Sequence, residues 1–169
     1  MANLPPSHYD DIGQLGEDLV AQWLESTDWV ILHRRFSCRW GEIDIIAQHH
    51  DCKSVKDTIN PISTQYSTLA FVEVKTRSSS NWDAGGRSAI TLQKQAKLSR
   101  TAGIFLAQYP QMANYACRFD VAIVYCQRIL KQRSQLTASR QALISASVAG
   151  YQFYLQEYIP AAFDSAIDS

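Results

Sequence analysis

Phe71-Val72-Glu73-Val74-Lys75 is the stretch on which the reading of this chain turns. With Leu69 and Ala70 before it and Thr76 after it, it is a nearly continuous apolar run bounded by polar residues, the signature of a central strand. Strand periodicity sets Glu73 and Lys75 on one face and Val72 and Val74 on the other. Two ionisable groups on a buried face are costly unless they bind each other or a ligand. Upstream, Gly41-Glu42-Ile43-Asp44 opens a second strand. If the two strands pair, the carboxylates of Asp44 and Glu73 converge on one point, where a hard cation such as Mg2+ binds well, with the Lys75 ammonium beside it.

Outward from that pair, residues 13–28 carry a helical pattern, with Leu15, Leu19, Val20, Trp23 and Leu24 at three- and four-residue spacings. Glu17 shares a side with Val20 and Leu24, at the border of the apolar stripe, so it faces either inward or solvent. Residues 29–36 and 41–48 read as two strands joined by Ser37-Cys38-Arg39-Trp40, a hairpin by length. Residues 49–68 turn polar around Asn60-Pro61 and read as a loop or insertion. Ser78 to Gly86 is a connector, and residues 88–108 form a second helical pattern ahead of Pro110. Residues 118–125 and 151–158 read as strands, residues 127–149 as a loop or short helix, and residues 160–163 as a closing turn. The expected fold class is α/β, a mixed β-sheet flanked by helices.

The chain has 169 residues, 46% of them hydrophobic and 19% charged, which suits one ordinary domain with a real core and excludes a wholly disordered chain. Residues 1–169 are therefore expected to be one domain with extra segments near 49–68 and 127–149. Sixteen basic and sixteen acidic side chains give no net charge, so any contact with nucleic acid must rest on local clusters. Cys38, Cys52, Cys117 and Cys126 form no CxxC pair, and free thiols in a reducing cytoplasm are the expectation. Residues 1–6 show no basic segment followed by an apolar run, and no run of about 18 apolar residues occurs, so neither secretion nor membrane spanning is expected, and no membrane partner.

Phosphodiester hydrolysis requires an activated water, in-line placement and neutralisation of the charge that grows on the phosphoryl oxygens. Asp44 and Glu73 as ligands, with a main-chain carbonyl near Val74, would hold Mg2+ or Mn2+, and Lys75 would orient the attacking water. Glu17, from the first helix, would bind a second metal or steer a coordinated water.

These blocks resemble the YraN-like family of small bacterial proteins, within the PD-(D/E)XK, restriction-endonuclease-like fold. The resemblance lies in Gly13-Gln14-Leu15-Gly16-Glu17, Gly41-Glu42-Ile43-Asp44, Phe71-Val72-Glu73-Val74-Lys75-Thr76-Arg77, Lys94-Gln95 and Arg118-Phe119-Asp120. It covers roughly residues 12–125, more loosely 158–163, and implies a fold similar to that of archaeal Holliday-junction resolvases. By the match, Asp44, Glu73 and Lys75 take the acidic-acidic-lysine core and Glu17 the first-helix glutamate. Gln95 is implied to point from the second helix toward the site, its alternative being a helix-surface amide. One departure is Asp28, where a glycine commonly precedes the aromatic residue. The implied activity is cleavage of DNA, branched or damaged forms included, and resolvase-like folds often work as homodimers.

Glu42, two residues before Asp44, is either a further ligand or a turn partner. Arg77, Arg87, Lys94, Lys97 and Arg100 follow the candidate lysine, and Arg34, Arg35 and Arg39 flank the first hairpin. They form either phosphate-contacting walls or an ordinary mixed surface. Arg118 and Asp120 read as a strand ion pair, and His49-His50-Asp51-Cys52 as plain loop. Trp82 either stacks on a base or packs on the sheet. Two rival functions remain: a nucleic-acid-binding or interaction protein on the same scaffold without efficient turnover, and a phosphoesterase for small substrates, which would need a narrow closed pocket.

Overall fold

The protein is described by a computed structural model covering residues 8–52, 65–78, 90–129 and 142–164. In chain order the elements are α1 (His8–Ser26), β1 (Val30–Cys38), β2 (Gly41–Cys52), β3 (Gln65–Ser78), α2 (Leu92–Gln108), β4 (Ala116–Arg128), β5 (Ile144–Val148) and β6 (Tyr151–Phe163). The strands form one sheet in the order β1-β2-β3-β4-β6-β5. Among the described residues β3 and β4 run parallel, joined through α2 as a crossover, and the other neighbouring strands are antiparallel. The mixed α/β architecture expected from the sequence is thus present, and it is consistent with a restriction-endonuclease-like arrangement.

Each helix covers one face of the sheet. Leu19, Val20 and Leu24 of α1 pack on Ile45, Ala70, Val72 and Val124. Leu98, Ala102 and Phe105 of α2 pack on Ile46, Leu69, Phe71 and Val121. Alternate residues of β3 therefore feed opposite cores, which is why its sequence from Leu69 to Val72 is apolar without a break. Phe105 is fully buried, its ring in edge contact with Phe36 and Phe71 at centroid separations of 5.3 and 6.0 Å.

Several boundaries differ from those read in the sequence, each for a physical reason. The polar segment 49–68 is strand at both ends: His49 pairs with Thr68 and Cys52 with Gln65, extending the β2–β3 ladder. His49-His50-Asp51-Cys52 is accordingly strand and not loop. The second helix starts at Leu92, where the Thr91 hydroxyl accepts the Lys94 N–H at 3.2 Å, a side-chain cap. Within 127–149 lies β5, an edge strand whose exposed Ser145 and Ser147 alternate with the half-buried Ile144 and Ala146, a pattern that the surrounding polar composition hides. Residues 160–163 continue β6 instead of closing a turn. The ladder jumps from Val121↔Ile159 to Phe119↔Phe163, and Pro160, which has no N–H to give, is accommodated in that bulge. Asp28 has φ of 67°, so the position favours glycine, and aspartate is among the few residues that tolerate it. Trp82, Arg87 and most of the connector lie outside the described residues.

Among the described residues no helix is long and apolar enough to cross a membrane. Cys38, Cys117 and Cys126 are free thiols.

Candidate metal centre

The β2–β3 ladder ends at Ile45↔Val72, so continuing its antiparallel register by one residue brings Asp44 level with Glu73. There β2 breaks its alternation. Ile43 packs into the core under α2, whereas Ile45, two residues on, packs under α1. On the other side β1 pairs Arg34 with Ile45 and Phe36 with Ile43, and the intervening Arg35 has a left-handed φ of 52°. The Asp44 side chain takes the place of the lost ladder bond, its Oδ2 accepting the Val74 N–H at 2.7 Å. A strand distortion thus aims one carboxylate across the neighbouring strand.

Glu73 is 4% exposed, and its two oxygens have unlike surroundings. Oε1 accepts from the Lys75 ammonium at 2.8 Å and lies 3.2 Å from the Lys94 ammonium of α2. Oε2 is buried with no hydrogen-bond partner among the described residues. A buried carboxylate oxygen left so costs about 1–3 kcal/mol, a penalty that a bound cation would remove. The Asp44 carboxyl is pushed up to about 7, first by burial and then by the nearby charge of Glu73. The Val74 N–H and the Lys94 ammonium oppose that rise, while Glu17 adds to it. Asp44, Glu73, Glu17 and Lys94 therefore share one electrostatic neighbourhood.

Glu17 reaches that neighbourhood because Gly16 lets α1 touch β3: a Cβ at Gly16 would stand 2.0 Å from the Thr76 Oγ1. Glu17 is 7% exposed, and both its oxygens are taken by the guanidinium of Arg35, Nε to Oε2 at 2.9 Å and Nη2 to Oε1 at 3.0 Å. Arg34 stands 3.7 Å from the same carboxylate and bonds Asp18 at 2.8 Å. Among the described residues, no three His, Cys, Asp or Glu side chains gather into a ready metal cluster. The pair at the centre is Asp44 and Glu73, with Glu17 behind it in the Arg35 fork.

The remaining candidates are distributed around this pair. Glu42 is exposed and its Oε2 accepts the Ser37 hydroxyl at 2.7 Å, the turn partnership that the sequence allowed. The Gln95 amide donates to the Ile90 carbonyl at 3.2 Å, bracing the start of its own helix. Lys97 is exposed on α2, and Arg77 lies two residues beyond Lys75 in β3. His49 meets Asp51 at 3.3 Å, on the far stretch of β2, about 16 Å of strand from Asp44. Arg118 and Asp120 do form an ion pair, at 3.1 Å. Asp120 is fully buried and also accepts the Tyr158 hydroxyl at 2.6 Å and the Ala161 N–H at 2.9 Å, so it fastens the β6 bulge. Two roles went unread in the sequence, Lys94 as a second cation on Glu73 and Arg35 as the partner of Glu17. Lys94 was legible as a lysine opening α2, but the Arg35 contact depends on a left-handed backbone angle that no local pattern marks.

Residues 16–124 match the model of the uncharacterised protein family UPF0102, a span that contains Glu17, Asp44, Glu73 and Lys75. The chain belongs to that family. Within UPF0102 it is 62% identical over 158 residues to a protein of Trichormus variabilis, covering 94% of this chain and 97% of that one. A Nostoc relative is 60% identical over 157 residues, covering 93% and 96%, and a Trichodesmium erythraeum relative 46% identical over 168 residues, covering 94% and 91%. All three carry the UPF0102 description alone.

Proposed function

We propose that the protein is a Mg2+-dependent DNA nuclease of the PD-(D/E)XK type, with Mn2+ able to replace Mg2+. The observation that carries this reading is the unpartnered buried oxygen of Glu73, level in register with Asp44, whose carboxylate is aimed across the neighbouring strand. Two carboxylates with water filling the remaining positions is how Mg2+ is ordinarily held, and it fits this donor set. A cation bound there would acidify a coordinated water and polarise a phosphoryl oxygen. Lys75, a third exposed, holds its ammonium beside the carboxylates, where it would orient the attacking water and offset charge growing on the phosphate. Lys94 adds a second positive charge at the same oxygen and would draw the phosphate in. Glu17, once released from Arg35, would steer a metal-bound water or accept a proton.

The rival reading, a nucleic-acid-binding protein without turnover, draws on that same Arg35 fork, which keeps both oxygens of Glu17 occupied. The test is incubation of the purified protein with Mg2+ and labelled branched, linear and single-stranded DNA and RNA. Cleavage that disappears in Asp44→Asn, Glu73→Gln and Lys75→Met while DNA binding persists supports the nuclease. Binding with no cation-dependent cleavage of any substrate selects the rival.

A further inference from the structure

We propose that the tip of the β1–β2 hairpin is a stacking subsite for an unpaired DNA base, joined to the Asp44–Glu73 pair by a basic track along α2. This rests on the nuclease reading for its partner, but its geometry is independent of catalysis. Trp40 occupies the two-residue turn between the strands and is 36% exposed, an aromatic ring outside both cores. Its ring centroid lies 4.7 Å from the Arg39 guanidinium carbon and 4.9 Å from that of Arg100. The turn is held firmly. The Trp40 N–H donates to the Cys38 sulfur at 3.4 Å, and Cys38 bonds the Thr101 hydroxyl of α2 at 3.5 Å. Gly41 adopts a φ of 151° against Lys97 and Thr101, which seats the hairpin on the helix.

Lys94, Lys97 and Arg100 follow at three-residue intervals on α2, so they climb the helix over about 9 Å. The two ends of this track are fixed by contacts: Lys94 at Glu73 and Arg100 at Trp40. From Trp40 in the turn to Asp44 in β2 is four residue steps, about 13 Å of extended chain. That distance matches roughly three to four phosphates at the axial spacing of about 3.4 Å along one DNA strand. Among the described residues no carboxylate pairs with Arg39, Lys97 or Arg100, which leaves their charges for an anionic partner.

Away from its ends, fully paired DNA offers phosphates to this track but no free base face to the indole. A single-stranded tail offers both. An exposed cation–aromatic contact is weaker than stacking of a base on an aromatic ring, so a base displaces one guanidinium, which then meets a phosphate. The subsite therefore selects DNA with an unpaired stretch a few nucleotides from the phosphate at the carboxylates.

The experiment measures binding by Asp44→Asn protein, without divalent cation, to a fluorescein-labelled duplex with and without a short single-stranded tail. The tailed duplex is expected to bind more tightly, and Trp40→Ala to weaken the tailed complex about tenfold while changing the blunt one less than about twofold. Trp40→Phe should keep most of the preference, and melting curves of both variants check the fold. Arg100→Ala should lower the salt slope on either DNA by about one. An unchanged tail preference in Trp40→Ala, equal losses on both DNAs, or no DNA binding at all would overturn the subsite. Cleavage by wild-type protein alongside an unchanged tail preference sinks the subsite and spares the nuclease; Trp40-dependent tail binding without cleavage under any condition does the reverse.

Discussion

In the metal-free protein, Asp44→Asn should raise stability at neutral pH even as it removes the proposed function. The Asp44 carboxyl goes from an ordinary value of 3.8 to about 7 in the fold, burial being the largest cause and Glu73 the next. Because the folded state holds this proton more tightly, there is no penalty below the unfolded value. Stability falls as pH rises through the window from 3.8 to about 7, and the penalty is constant above it. Those values differ by about three pH units, and at about 1.4 kcal/mol each the ceiling is about 4 kcal/mol. The asparagine amide stays desolvated, which costs about 1–3 kcal/mol, although its oxygen still accepts the Val74 N–H, so a net gain of about 1–2 kcal/mol is expected. For a chain of this size that is a rise of roughly 3–6 °C in Tm. The assay is thermal melting of wild type and variant in EDTA at pH 8 and at pH 5, followed by Mg2+ addition. Asp44→Asn should melt higher at pH 8, the gap should narrow at pH 5, and Mg2+ should raise Tm in wild type only. A variant that melts at or below wild type at pH 8 would refute the idea that Asp44 is strained by burial beside Glu73.

The same carboxyl makes cation affinity pH-dependent: Mg2+ titrated calorimetrically should bind progressively more weakly as pH falls from 8 to 6, because a proton must leave Asp44 first. Gly16→Ala should cost about 1–3 kcal/mol, since its Cβ would stand 2.0 Å from the Thr76 Oγ1, and denaturant melts should show partial rescue by Thr76→Ala. Asp120→Ala should cost about 3–5 kcal/mol by the same melts, because Arg118, Tyr158 and the Ala161 N–H lose their shared acceptor inside the sheet.

The fold was legible where periodicity and burial agree. Leu69 to Lys75 announced a central strand because both faces of β3 are covered, and Val20 with Leu24 announced the face of α1 that meets the sheet. It was illegible where solvent meets strands: the β2–β3 extension from His49 and Gln65, and β5, carry polar residues that strand pairing does not forbid. Within the site, antiparallel register puts Asp44 level with Glu73 once the strands pair, but the reach of the Asp44 carboxylate to the Val74 N–H depends on the break in the β2 alternation, which the sequence does not mark. The Glu17 fork was equally illegible, since it requires the left-handed Arg35 and a helix brought close by Gly16. Lys94 on Glu73 likewise needs the docking of α2 on the sheet, a tertiary fact with no local signature.

The central claim, that Asp44 and Glu73 jointly hold one cation, is tested most directly by anomalous diffraction from crystals grown with Mn2+. A single peak about 2.0–2.2 Å from an oxygen of each carboxylate, with the Lys75 ammonium nearby, is the expected result. No peak at saturating Mn2+, or one that persists unchanged in Asp44→Asn, would contradict it.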